Sequence, residues 1–252
     1  MHSKRLIATV LFTATLISVR AFAAVAVDAP AAVTPDQALT ALKDGNARFV
    51  DAKTSAPRRD AARRAETVKN GQHPVATLIA CSDSREPVEI IFDQGIGDLF
   101  VVRVAGNVAN TDEIGSAEYG TSHLGAPLLI VLGHTECGAV TAVATHAEVH
   151  GSIPALVAPI QPAVDKAQKE HPDLKGKELV PAAIEANVFQ SIEDLLKHSE
   201  MTRKLVAGNK LRIEGAVYDL STGSVKWLGA HPQQKTLLET VEKTRELEPA
   251  HH

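Results

Sequence analysis

Two short runs concentrate the side chains able to hold a metal or steer a proton: Cys81-Ser82-Asp83-Ser84-Arg85 and His134-Thr135-Glu136-Cys137-Gly138. Two thiolates and an imidazole are borderline-soft ligands suited to tetrahedral Zn2+. A Cys2His set with one exchangeable position is the pattern of a catalytic centre rather than a structural one. Either Asp83 or water completes that set. An aspartate two residues after a cysteine can swing onto the metal or toward a water there, and Arg85 offers a planar fork to hold its carboxylate. Taken singly, a cysteine is usually a small buried hydrophobe and Asp-x-Arg a loop salt bridge. Their coincidence after two apolar runs is what points to a site. Two cysteines in an exported chain would otherwise suggest a disulfide, but their metal-competent neighbours argue for free thiols.

The elements that position these runs follow from the apolar pattern. Residues 75–80, 99–104 and 127–132 are short aliphatic runs that predict buried strands. Helical stretches are predicted at 34–50, with Thr34 as N-cap and Pro35 at the first position, and at 58–69, 113–124 and 138–147. Two longer ones are predicted at 153–170 and 179–198. A last strand at 211–220 turns through Ser221-Thr222-Gly223 into a hairpin-like segment at 225–228, and a tail helix is expected at 235–247. Strands alternating with helices imply an α/β fold, a mostly parallel sheet flanked by helices. Both chemical runs then fall at carboxyl ends of strands, where open α/β sheets place their ligands.

These runs resemble the β-class carbonic anhydrases, as do Phe100-Val-Val-Arg103 with Ala105-Gly106-Asn107, Glu118-Tyr119, Gly133 before His134, and the strand Gly215-Ala-Val-Tyr-Asp-Leu220. The resemblance covers about residues 34–228. It implies a β-carbonic anhydrase-like fold and zinc-dependent, reversible hydration of carbon dioxide to bicarbonate and a proton. The zinc ligands it implies are Cys81, His134 and Cys137, with Asp83 as fourth ligand in a closed form that acid favours. Asp83 and Arg85 form the catalytic dyad, and Gln72, Phe100 and Tyr119 the substrate pocket. It also implies a homodimer or higher even oligomer, in which the N-terminal helices pack on a neighbouring subunit and the three pocket residues serve the partner's zinc. Glu86 departs from the small or apolar residue of many relatives, and is expected to bring negative charge to the pocket mouth. Some bacterial members bind regulatory bicarbonate through a tryptophan in the N-terminal region; here the only tryptophan is Trp227, so that site is not expected. His73 and His123 are the candidate proton shuttles by proximity. His146 and His150 have helical metal-pair spacing but no third ligand.

Composition bounds the rest. In 252 residues, 44% hydrophobic and 22% charged, one catalytic domain at 34–230 is expected. Lys4 and Arg5, an apolar run to Val19 and Ala21-Phe22-Ala23 read as a secretory signal peptide over 1–23. A linker at 24–33 and a tail at 231–252 complete the chain. An exported protein, periplasmic by inference and without stable membrane insertion, is expected. Loss of the basic leader makes the formal charge of −4 more negative, which disfavours nucleic-acid partners. The basic stretch Arg58, Arg59, Arg63, Arg64, Lys69 reads as a solvated helix face. Two other functions fit the same residues: hydrolysis of carbon disulfide or carbonyl sulfide, and zinc binding without catalysis.

Overall fold

The computed structural model describes residues 33–239. The predicted leader, all but the last residue of the linker, and the tail from residue 240 lie outside the described residues. Five strands form one sheet in the order β2-β1-β3-β4-β5. The strands are β1 (Ala76–Ala80), β2 (Leu99–Arg103), β3 (Leu128–His134), β4 (Arg212–Tyr218) and β5 (Val225–Gly229). The first four are parallel, and β5 returns antiparallel to β4, so the mostly parallel sheet and its closing hairpin are as expected.

Because successive strand residues point to opposite faces, β3 feeds two cores. Leu128, Ile130 and Leu132 pack with Leu78 and Ala80 toward α1 (Pro35–Val50) and α3 (Val88–Ile91), against Leu42, Ile91 and Phe92. Leu129 and Val131 pack with Ile79 toward the other layer. That layer holds α4 (Thr111–Glu118), α5 (Gly138–Ala144), α7 (Gln161–Glu170) and α8 (Val180–His198). Burying each such Leu, Ile or Phe contributes about 1.5–3 kcal/mol. The long helix α8 approaches the sheet where two strand residues lack side chains: a Cβ on Gly133 or Gly215 would lie 2.9 Å from a methyl of Val188.

Several boundaries differ from the sequence expectation for identifiable reasons. At α1 the capping box is formed, with Gln37 N–H donating to Thr34 Oγ1 and Thr34 N–H to Gln37 Oε1. The helix expected from Arg58 instead begins at Ala61 (α2, Ala61–Asn70), because Asp60 caps it by accepting from Arg63 N–H while Arg58 sits at φ +51°. The helix expected at 153–170 is broken into α6 (Ile153–Val157), a 3-10 turn and α7, since Pro159 and Pro162 lack the N–H a continuous helix needs. The one expected at 113–124 starts at Thr111 and ends in a π turn, Tyr119–His123. A short helix α9 (Glu200–Ala207), capped by Ser199, was not expected. In the tail, residues 234–239 are helical, and Leu237 and Leu238 pack against the α8-side core. Among the described residues, no helix is long and apolar enough to cross a membrane.

The basic stretch is not simply a solvated face. Arg58 and Arg63 both reach the Asp98 carboxylate, and Arg63 Nε and Arg59 Nε donate to the carbonyls of Ile96 and Gln94. Only Arg64 and Lys69 of the five stand free of such anchors and exposed. Nearby, the fully buried Asp93 accepts from Arg48 Nε at 2.7 Å, from the N–H groups of Ser55 and Ala56 and from Ser55 Oγ. Burial opposes its ionisation, but these donors together outweigh it and hold its carboxyl below the usual carboxylate range. Its contribution to stability is therefore present above the unfolded carboxyl pKa of about 3.9 and is lost as pH falls through and below it. Asp93→Asn is expected to lower the unfolding free energy at pH 7 by about 3 kcal/mol. In urea titrations this gap should narrow by about 1 kcal/mol between pH 5 and pH 3; a constant gap would contradict the account.

Candidate metal centre

The sheet reverses its direction of growth between β1 and β3, since β2 lies beyond β1 and β4 beyond β3. At this switch point Ala80 pairs with Leu132. Cys81 therefore leaves β1 beside the end of β3, where His134 is the last strand residue and Cys137 caps α5. The Sγ atoms of Cys81 and Cys137 and a ring nitrogen of His134 all lie within 4.8 Å of one another, the one such metal-competent group among the described residues. Both cysteines are free and buried, as expected.

The donor chemistry fits a dication. His134 Nδ1 lies 2.8 Å from the Thr135 carbonyl, which can only accept, so this nitrogen carries the proton. Nε2 is left buried without a hydrogen-bond partner. The two thiols differ in acidity through their contact: Cys137 beside it lowers the Cys81 thiol, and Cys81 in turn, with burial, raises that of Cys137. Burial disfavours a charged His134, yet the adjacent Cys81 thiolate more than offsets this and raises its pKa. Binding a divalent ion would displace the thiol protons.

Asp83 stands at the rim of the group, Oδ2 3.8 Å from His134 Nε2. Arg85 grips it with both ends of the fork, Nε to Oδ1 at 2.9 Å and Nη2 to Oδ2 at 2.7 Å, while Arg85 N–H also donates to Oδ1. These bonds, the guanidinium first, hold the Asp83 carboxyl well below the usual carboxylate range. Arg103, at the end of β2, was not singled out as a site residue. It donates to the carbonyls of Cys81 and Asp83 and so pins the loop from outside. Its pairing partner across the sheet is Ala80, and an arginine ending a strand beside a metal-bearing loop was the available signal.

Glu86 does not stand at a pocket mouth. It is fully buried behind the loop, its carboxyl oxygens have no hydrogen-bond partner, and loss of hydration pushes its pKa up to about 8. Burial therefore works against the negative charge expected of it, and places that carboxyl behind the ligand loop instead. Trp227 lies on β5, its ring against Phe92 and under Lys43 Nζ. Among His146 and His150 no third ligand gathers.

Phe100 and Tyr119 come together away from the thiols, and Gln72 lies toward the same end of the sheet. Phe100 pairs with Thr77, four residues before Cys81, which puts it about 13 Å back along the strands from the thiols. Its ring lies 5.8 Å from that of Tyr119, which stacks on His123 at 4.6 Å. Gln72 is exposed just before β1, at the same amino-terminal edge. His73, beside it, reaches only the Asn70 carbonyl.

A family model described as carbonic anhydrase matches residues 76–225. Carbonic anhydrase 2 of Mycobacterium tuberculosis is 38% identical over 194 residues, 75% of this chain and 90% of its own. The β-carbonic anhydrase CafA of Aspergillus fumigatus superposes with a TM-score of 0.65 at 25% identity, covering 83% of this chain and 97% of its own. A tetrameric β-carbonic anhydrase of Sordaria macrospora gives 0.62 at 24% identity, covering 77% and 98%. Fold, family model and relatives agree, and this chain belongs to the carbonic anhydrases, in their β class.

Proposed function

We propose that this carbonic anhydrase hydrates carbon dioxide to bicarbonate at a Zn2+ held by Cys81, His134 and Cys137, with Asp83 and Arg85 as its working dyad. The observation that carries this reading is the convergence of three buried ligand atoms within 4.8 Å, with His134 Nε2 left unpartnered. Bound there, Zn2+ would be the Lewis acid that lets water supply hydroxide near neutral pH.

The chain's own residues do the rest. Asp83 is ionised throughout the neutral range because Arg85 holds it so, and it therefore accepts a hydrogen bond from the attacking water rather than donating one. Two thiolates spread the metal's charge more than imidazoles would, which makes this accepted bond more valuable. Arg85 fixes the carboxylate in both rotation and tilt, and the Glu136 carbonyl, 3.4 Å from its Nη2, ties the fork to the second ligand loop. The same pair keeps Asp83 off the metal position; a carboxylate released from Arg85 would compete for it and close the site.

Asp83→Ala is expected to retain zinc while losing about 10^2-fold or more of kcat/KM for carbon dioxide hydration, the scale of a lost proton-handling group. Stopped-flow assay beside metal analysis checks this. A folded, zinc-loaded wild type inert at every pH from about 6.5 to 9 would overturn the reading and direct assays to carbon disulfide and carbonyl sulfide.

The site is completed by a second copy. Gln72, Phe100 and Tyr119 lie too far from their own chain's thiols to line that pocket, and α2 buries none of its residues, leaving Val68 88% exposed. The Sordaria relative is tetrameric. A homodimer in which the amino-terminal edge of one copy faces the thiols of the other accounts for both facts. Co-folding inactive Asp83→Ala with a pocket variant, Gln72→Ala/Tyr119→Ala, should then restore about a quarter of wild-type activity, since half the dimers carry one intact site; a site contained in one chain would restore none.

Residues 1–23 support export. N-terminal sequencing of the periplasmic fraction should find a chain beginning near Ala24, and an intact Met1 in the cytosol would refute this.

A further inference from the structure

The Cys81 sulfur meets backbone amides as well as the other ligand atoms: that of Asp83 in its own loop, and one from outside it. Gly106 N–H donates to Cys81 Sγ at 3.3 Å. The glycine sits in the turn 104–107, closed by Asn107 N–H to the Val104 carbonyl, at φ +78° in its third position. That position of a type II turn favours glycine. Packing requires it as well, because a Cβ there would lie 2.6 Å from Ile160 Cδ1 and 3.2 Å from Ala139 Cβ.

Two residues one helical turn apart on α8 hold this turn from behind. Asn187 Nδ2 donates to the Gly106 carbonyl at 2.7 Å, and Ser191 Oγ donates to the Asn107 carbonyl at 2.9 Å. Both side chains are 1% exposed. Asn187 Oδ1 is left without a partner, as is Asn107 Nδ2. Burying an amide half satisfied is unfavourable against an apolar residue of the same shape, so the bond that Asn187 does make is the one its presence serves.

We propose that Asn187, assisted by Ser191, is a positioning residue that aims the Gly106 N–H at the Cys81 thiolate and thereby limits how much charge that sulfur gives to the metal. The inference rests on the zinc reading above. Two thiolates weaken a metal as a Lewis acid, and an N–H bond to one of them returns part of that acidity, as outer partners of metal ligands commonly do.

The test uses the Co2+-substituted full chain, whose sulfur-to-metal charge-transfer band reports the thiolate directly. Asn187→Ala should shift that band to lower energy with the d–d bands still tetrahedral, and should change Co2+ affinity by about tenfold. Ser191→Ala should shift it less. Gln190→Ala, on the same helix but bonded to Asp194, should leave it in place. Should Asn187→Ala fail to fold, the wild type loaded with 113Cd remains decisive: the Gly106 amide proton should show scalar coupling to the metal through the sulfur. An unmoved band in a metal-loaded Asn187→Ala, or no coupling in the wild type, overturns the proposal. A wild type that binds Co2+ without any thiolate band overturns the zinc reading itself, a different failure.

Discussion

Two sulfurs and an imidazole nitrogen share a space shielded from water, and they reach it only through the parallel register of β1 and β3. Each group alone would be tolerable there: a thiol packs as a small hydrophobe, and a neutral histidine needs one partner. Together they are three donor atoms facing one another, with no hydrogen-bond partner for His134 Nε2. Folding brings them together because the aliphatic faces of β1 and β3 must be buried on both sides, and that burial sets the register which aligns Cys81 with the end of β3. The core thus supplies the force and the site carries a buried polar atom left without a hydrogen bond, as is common where function departs from what packing alone would choose.

The supports around this centre come from different parts of the chain. Arg103 holds the Cys81 loop by its carbonyls from the β2 side, Arg85 holds Asp83 at the rim, and α8 holds the 104–107 turn beneath. Glycines at 133 and 215 let α8 approach closely enough to do so. A long, buried helix lying directly on the sheet is thereby a rigid reference for the metal ligands rather than a cover alone.

Much of this was legible in the sequence, and the limits have physical causes. The strands were clear because each is a short, nearly continuous aliphatic run, and the ligand trio because its residue types coincide at two strand ends. Boundaries were less clear where a local feature overrides periodicity: Asp60 as a cap, the prolines at 159 and 162, the π turn at Tyr119. Side-chain destinations were the least legible. Nothing in a run of arginines says that a carboxylate forty residues later will claim two of them, and nothing beside Arg85 says that Glu86 turns inward. Both depend on contacts between segments distant in sequence. Gly106 and Asn187 are eighty-one positions apart, beyond the reach of any local pattern.

The arginine anchors have a consequence for the order in which the molecule comes apart. Within one copy, before any partner covers it, helix α2 buries no residue of its own, so its attachment there depends on guanidinium bonds to Asp98 and to backbone carbonyls rather than on apolar area. Charge contacts at a surface weaken with ionic strength, whereas the sheet and its two cores do not. In a single copy, the stretch from about residue 57 to 70, beyond the Asp93 anchor at Ser55 and Ala56, is therefore the natural first unit to open, at a free energy well below that of global unfolding. Its amides should exchange with solvent by a salt-sensitive local route while those of β1 and β3 wait for the whole domain.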